Sequence, residues 1–212
     1  MLMTELYPLK VHHKPKTIQD HIALRIVRFM RLFADAFFRK RYGHRAVVLE
    51  TVAAIPGMIA GMLRHLRSLR KIEDDHGWIK ELLDEAENER MHLMTFIHIA
   101  QPSTLERLLI IAVQGIFYTL YLILYICSAK TAHRLVGYLE EEAVVSYTQY
   151  LKEVEEGRMA NCEIPQIARD YWKLSETARL KDLIIVILND ECKHRDVNHQ
   201  FSDMLTTEDK EH

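Results

Sequence analysis

The sequence predicts an all-α fold, and three observations carry that prediction. Only 7 Gly and 5 Pro occur among 212 residues, too little turn material for an all-β fold with many hairpins. Apolar residues make up 49% and charged residues 27%, the balance of a globular chain that can bury a sizeable core. Apolar positions also recur at helical spacing in six successive stretches. No low-complexity segment or linker interrupts them, so one domain over residues 1–212 is expected. The formal net charge of -2, from 28 Lys and Arg against 30 Asp and Glu, gives no general pull toward nucleic acid. Cys127, Cys162 and Cys192 are too widely spaced for a disulfide framework or a Cys-rich zinc site, which fits a reducing compartment.

Residues 1–17 read as an N-terminal arm without the apolar core of a secretory signal. A first helix over 18–42 sets Arg25, Arg28, Arg31 and Arg39 opposite Ile22, Ile26, Phe29, Met30, Phe33 and Phe37. That pattern suits a surface helix packed on the core or an interfacial helix with its cations toward lipid headgroups. A second helix over 44–69 contains Pro56, whose missing N–H should bend it just after Glu50 and Thr51. Asp75-His76-Gly77 breaks the pattern before a third helix over 78–100, which ends ahead of Pro102. Ser103-Thr104-Leu105-Glu106 reads as a capping box opening a fourth helix over 104–127. A fifth helix over 129–156 stops at Gly157, residues 158–175 with Pro165 form an irregular connection, and a sixth helix covers 176–204.

Two segments within the predicted helices carry Glu-x-x-His: Glu89 with His92 on the third helix and Glu191 with His194 on the sixth. That spacing sets a carboxylate and an imidazole on one helical face. Either pair alone is common in a charged helical chain. Two further helices each offer a glutamate among apolar neighbours, Glu50 on the second and Glu140 on the fifth. An ionised carboxylate is costly to bury unless it is paired or bound to metal, so Glu50 is the hardest residue to explain structurally. The order Glu, Glu-x-x-His, Glu, Glu-x-x-His on four long helices is the ligand set of a ferritin-like four-helix bundle holding a dinuclear iron or manganese site. Two imidazoles among six ligands suit a redox metal better than calcium or magnesium.

The apolar run Leu108 to Cys127 has the 20 residues that a bilayer crossing needs. If that helix alone crossed, Glu50 and Glu89 would lie on the opposite side from Glu140 and Glu191, and the metal site could not form. The expectation is therefore a monotopic protein, with the helices 18–42 and 104–127 forming a surface that faces one leaflet. Tyr118, Tyr121 and Tyr125 are either headgroup anchors or a packed core stripe. Glu140, Glu141 and Glu142 point about 100° apart, so at most one aims squarely at the bundle interior. Tyr147 returns two turns later to nearly the direction of Glu140, as an electron relay or proton donor or as a buried core tyrosine. Asn88 and Asp190 flank ligand glutamates, where they either orient the histidines or face solvent.

Four blocks carry a family resemblance: Leu49 to Met58 (LETVAAIPGM), Ala86 to Leu93 (AENERMHL), Leu139 to Ala143 (LEEEA), and Asp190-Glu191 with His194 to His199 (HRDVNH). In these blocks the chain resembles the alternative oxidases, and the similarity runs from about Pro15 to Asp203. The resemblance implies a homodimeric helical protein on one leaflet that oxidises ubiquinol and reduces dioxygen to water without pumping protons. It implies two iron ions held by Glu50, Glu89, His92, Glu140, Glu191 and His194, a redox role for Tyr147, and a quinol pocket near Arg45, Leu49 and Ser146. The family's arginine and an alanine before the last histidine are replaced in Leu188 to Lys193, which bears on tuning of the site. No cysteine precedes the first helix, so thiol control is not expected. The short N-terminus suggests a bacterial-type member on the cytoplasmic face of a plasma membrane, with the matrix face of the mitochondrial inner membrane as the alternative. Competing functions are a membrane-bound di-iron hydroxylase of quinone precursors, iron storage, and a purely structural bundle.

Overall fold

The structure, a computed structural model, describes residues 11–38 and 42–211; the side chains of Phe33, Phe37, Phe38 and residues 207–211 fall outside the description. The arm residues 1–10 and Arg39 therefore lie outside the described residues. Seven helices are described: α1 (Ile18–Phe38), α2 (Tyr42–Lys71), α3 (Trp78–Ala100), α4 (Thr104–Cys127), α5 (Ala129–Glu155), α6 (Gln166–Trp172) and α7 (Leu180–Glu211). Among the described residues there is no strand, only an isolated bridge between Glu163 and Arg179. The all-α expectation is borne out.

The helices fall into two compact units, one built of α2, α3 and α4 and the other of the arm with α1, α5, α6 and α7. In the first unit α2 packs along α3 and, over a shorter length, along α4. The two helices of the main pair come very close: a Cβ on Gly57 would sit 2.4 Å from the Leu82 carbonyl oxygen, so only glycine fits there. Ile55, Ile59, Leu82 and Phe96 are fully buried. α2 runs unbroken through Pro56. Asp75 accepts from the Ile79 amide at 2.7 Å at the start of α3, and Gly77 takes the left-handed φ of 84° that the turn into it requires.

The capping box at α4 is present as the sequence predicts. The Ser103 hydroxyl accepts from the Glu106 amide at 3.3 Å, and the Glu106 carboxylate accepts from the Ser103 amide at 2.8 Å. The same glutamate reaches His44 near the start of α2 at 2.8 Å. Both α2 and α4 are long and apolar enough to cross a membrane, but the apolar window of α2 is 61% buried and that of α4 only 6%. Tyr121 and Tyr125 pack inward, while Tyr118 stays outside with Leu108, Ile111, Ile116, Leu120 and Ile123.

In the second unit α1 buries a narrow face of Asp20, Ala23, Leu24 and Val27 and leaves Ile18, Ile22, Ile26, Phe29 and Leu32 exposed. Of the stripe opposite the arginines, Ile22, Ile26 and Phe29 are exposed and Met30 is half-buried, while the Phe33 and Phe37 side chains lie outside the description. α7 starts at Leu180 rather than 176 because the connection caps it. The Asn161 side chain accepts from the Lys181 amide at 2.8 Å and the Cys162 carbonyl from the Leu180 amide at 3.0 Å. The predicted irregular stretch 158–175 also contains the short helix α6, opened by Pro165 and tied to α7 by the Trp172 indole, which donates to Asp190 at 2.8 Å.

Candidate metal centre

Each unit carries one set of buried metal-ligand side chains. On α2 and α3, Glu50, Glu89 and His92 offer ligand atoms within 4.8 Å of one another. The His92 Nδ1 atom lies 3.3 Å from Glu50 and 3.4 Å from Glu89. On α5 and α7, Glu140, Glu191 and His194 form a second set within the same limit, with His194 Nδ1 3.9 Å from Glu191. All six are buried.

These distances are longer than the roughly 2.7–2.9 Å of a good charge-assisted hydrogen bond, and the donor atoms of each set lie within 4.8 Å of one another, close enough to share one ion. Two carboxylates against one imidazole would concentrate like charge in a dry interior, which a divalent cation between them offsets. Carboxylate oxygen with imidazole nitrogen is the donor chemistry of iron and manganese sites. The residues present therefore fit a metal ion in each set.

The structure places the other predicted residues as follows. Tyr147 is buried on α5, two turns beyond Glu140, and Ser146 beside it is buried as well. Arg45 is buried on α2 and Leu49 is half-buried one turn further along. Asp190 is half-buried and receives the Trp172 indole, and Asn88 is half-buried on α3.

A buried polar network in the second unit was not read from the sequence. Thr17 and Asp20 form a reciprocal cap on α1: the Asp20 carboxylate accepts from the Thr17 amide at 2.9 Å, and the Thr17 hydroxyl accepts from the Asp20 amide at 3.2 Å. The other Asp20 oxygen accepts from Arg134 Nε at 2.9 Å, and Arg134 also donates to Asp203. Arg134 Nη1 points at His199 Nδ1 at 2.8 Å. Because a guanidinium only donates, Nδ1 must accept, which leaves His199 Nε2 to donate to Glu141 at 3.0 Å. A Cβ on Gly137 would lie 2.5 Å from His199 Nδ1, so glycine gives the ring its place. Asn198 bridges α5 and α7, donating to the His194 carbonyl at 3.0 Å and contacting His133 Nδ1 at 3.0 Å. The Thr-x-x-Asp spacing at Thr17 was a readable signal for part of this network.

Burial and the Arg134 charge disfavour protonation of His13 and His199. Burial, then Arg134 and His199, lower His13 from 6.5 to about 4. His199 is lowered as well, by burial, with Arg134 adding to this and the Glu141 hydrogen bond opposing it. Burial raises the Glu141 carboxyl, but its bonds to His199, His12 and the His13 amide outweigh that and hold it low. A histidine whose folded pKa is depressed destabilises the fold as pH drops below its unfolded value, because the unfolded chain takes the proton first. The arm is therefore expected to detach as pH falls from about 6.5 toward 4. Limited tryptic proteolysis at Lys16 across that range measures it, and cleavage independent of pH would refute it.

Four long helices, each with a buried glutamate and two with a histidine one turn on, define a class: all-α proteins with carboxylate–histidine sets that can hold metal ions. A family model described as alternative oxidase matches residues 4–203, so the chain belongs to the alternative oxidase family. Ubiquinol oxidase 2, mitochondrial, of Glycine max is 58% identical over 92% of this chain and 59% of its own length. Ubiquinol oxidase, mitochondrial, of Mangifera indica is 57% identical over 92% of this chain and 62% of its own. The protein of the same name from Batrachochytrium dendrobatidis is 54% identical over the same shares, 92% and 62%. The chain thus spans about three fifths of the length of the curated relatives it matches. All three are named mitochondrial, so the expectation of a bacterial-type member at a plasma membrane is not supported and is corrected here.

Proposed function

We propose that the chain is a ubiquinol:oxygen oxidoreductase whose two ligand sets together hold two iron ions. The observation that carries this reading is the pair of buried Glu-Glu-His sets, repeated on two helix pairs of an alternative oxidase family member. The iron pair, when bound, supplies the redox capacity to reduce dioxygen to water with four electrons from two quinols. Glu50, Glu89 and Glu140 with Glu191 balance the charge of two divalent ions, and His92 and His194 complete the donors. By the family resemblance Arg45, Leu49 and Ser146 each serve quinol binding, with the Arg45 guanidinium as the donor to a ring oxygen. Tyr147 lends a proton and an electron from its hydroxyl to oxygen reduction, and one of the four quinol electrons, with a proton, restores it, so the balance stays at two quinols per dioxygen. Asn88 and Asp190 steady the helix turns that carry Glu89 and Glu191.

The exposed apolar faces of α1 and α4 support attachment to one leaflet, by which quinol enters from the lipid. A chain lying in one leaflet offers no path for pumped protons. The names of the relatives support the mitochondrial inner membrane as the location, and a homodimer as the working unit fits the family. The test is oxygen consumption with a short-chain quinol in cyanide, before and after iron chelation. Cyanide-resistant uptake that chelation abolishes and iron restores is expected. Uptake that survives chelation, or oxygen appearing in the organic product as in a hydroxylase, would overturn the proposal.

A further inference from the structure

Successive side chains on a helix diverge by about 100°, so the run Glu140-Glu141-Glu142 on α5 must serve three directions. Each carboxylate has its own destination. Glu140 belongs to the buried set with Glu191 and His194. Glu142 accepts from Arg31 of α1 at 2.5 Å. Glu141 takes the arm and α7 together: one oxygen accepts from the His13 amide at 2.8 Å and from His199 Nε2 at 3.0 Å, and the other contacts His12 Nδ1 at 2.5 Å.

We propose that Glu141 is a positioning residue that fixes the rotation of α5, and thereby the aim of Glu140, by binding the N-terminal arm and His199 on one carboxylate. The inference rests on the reading of Glu140 as a metal ligand. Both Glu141 oxygens are engaged by these partners, so Glu141 is not a spare ligand. His199 is held on its other side by Arg134, which in turn holds the Asp20 cap of α1. A continuous chain of hydrogen bonds thus runs from the arm and α1 through α5 to α7. His199 stands five residues after His194, so the same clamp links the helix of Glu140 to the helix of His194. Stacking of His13 on His199 at 4.7 Å and the bond from the Tyr138 hydroxyl to the His13 carbonyl at 3.1 Å seat the arm against both helices. The arm segment around His12 and His13 is on this account part of the metal-binding machinery.

The test compares Glu141→Ala, Glu141→Gln and Glu140→Ala in the full chain loaded with iron. The readouts are iron per chain, the electron paramagnetic resonance spectrum of the half-reduced site, kcat and KM for a short-chain quinol, and tryptic cleavage of the arm at Lys16. Glu141→Ala should release the arm to protease, alter the resonance spectrum and lower kcat by about tenfold with KM unchanged, the scale of losing a group that orients a ligand. Glu141→Gln keeps an acceptor for the His13 amide and should recover most of the spectrum, which keeps the test decisive if the alanine variant does not fold. An unchanged spectrum and unchanged kcat with the arm released would overturn the proposal. Glu140→Ala separates the two ideas. If it loses iron while both Glu141 variants match the parent spectrum, the positioning role fails and the ligand reading stands. If it keeps both irons, the ligand reading fails.

Discussion

Glu89→Ala is expected to reduce quinol-dependent oxygen uptake by more than about 100-fold and to leave the chain short of bound iron. The bound comes from ligand-orienting groups, whose loss typically costs up to about 100-fold, so removal of a ligand should exceed it. Glu89 has no solvent exposure and faces His92 at 3.4 Å, so no water-exposed carboxylate stands ready to replace it. The metal-free fold loses little that matters to its helices, because the removed group is one of several like charges in a buried carboxylate cluster. The helical signal should therefore persist. Full oxygen uptake with two irons per chain in this variant would reject the ligand assignment.

Gly137→Ala is expected to lower stability by about 1–3 kcal/mol, the usual cost of overpacking a filled interior. In a chain of this length that corresponds to several degrees in Tm. The added methyl would sit 2.5 Å from His199 Nδ1, so the ring must leave its place between Arg134 and Glu141. Thermal unfolding followed by circular dichroism reads the loss. The double variant Gly137→Ala with His199→Ala removes the collision, so the two losses should be clearly less than additive. Strict additivity would mean that the ring is elsewhere.

How far the sequence could be read depended on whether the deciding signal was local. The capping box at Ser103 and the limits of α4 were legible because both partners lie within four residues. The Glu-x-x-His pairs were legible because helical spacing alone sets them on one face, and the structure buries all six candidate ligands. The glutamate run at 140–142 was readable only up to the statement that one member faces inward. Which members go elsewhere is decided by His12, His13, His199 and Arg31, all remote in sequence. The start of α7 was misplaced for the same reason, since Asn161 and Cys162 cap it from the preceding connection. The short helix α6 was missed because seven residues between Pro165 and Lys173 hold too few turns to show a period. The three tyrosines of α4 share one helical spacing, but only packing against their own unit separates buried Tyr121 and Tyr125 from Tyr118.

Three neighbouring acids with three separate tasks make α5 intolerant of any change in its length. One residue inserted between Gly137 and Glu140 would turn every later side chain by about 100°, handing each carboxylate the wrong assignment at once. The same insertion near Arg158, in the connection that follows α5, would turn no helical face and should leave both candidate ligand sets as they are. Random insertion mutagenesis scored by cyanide-resistant respiration should therefore leave a sharply bounded silent gap over this helix.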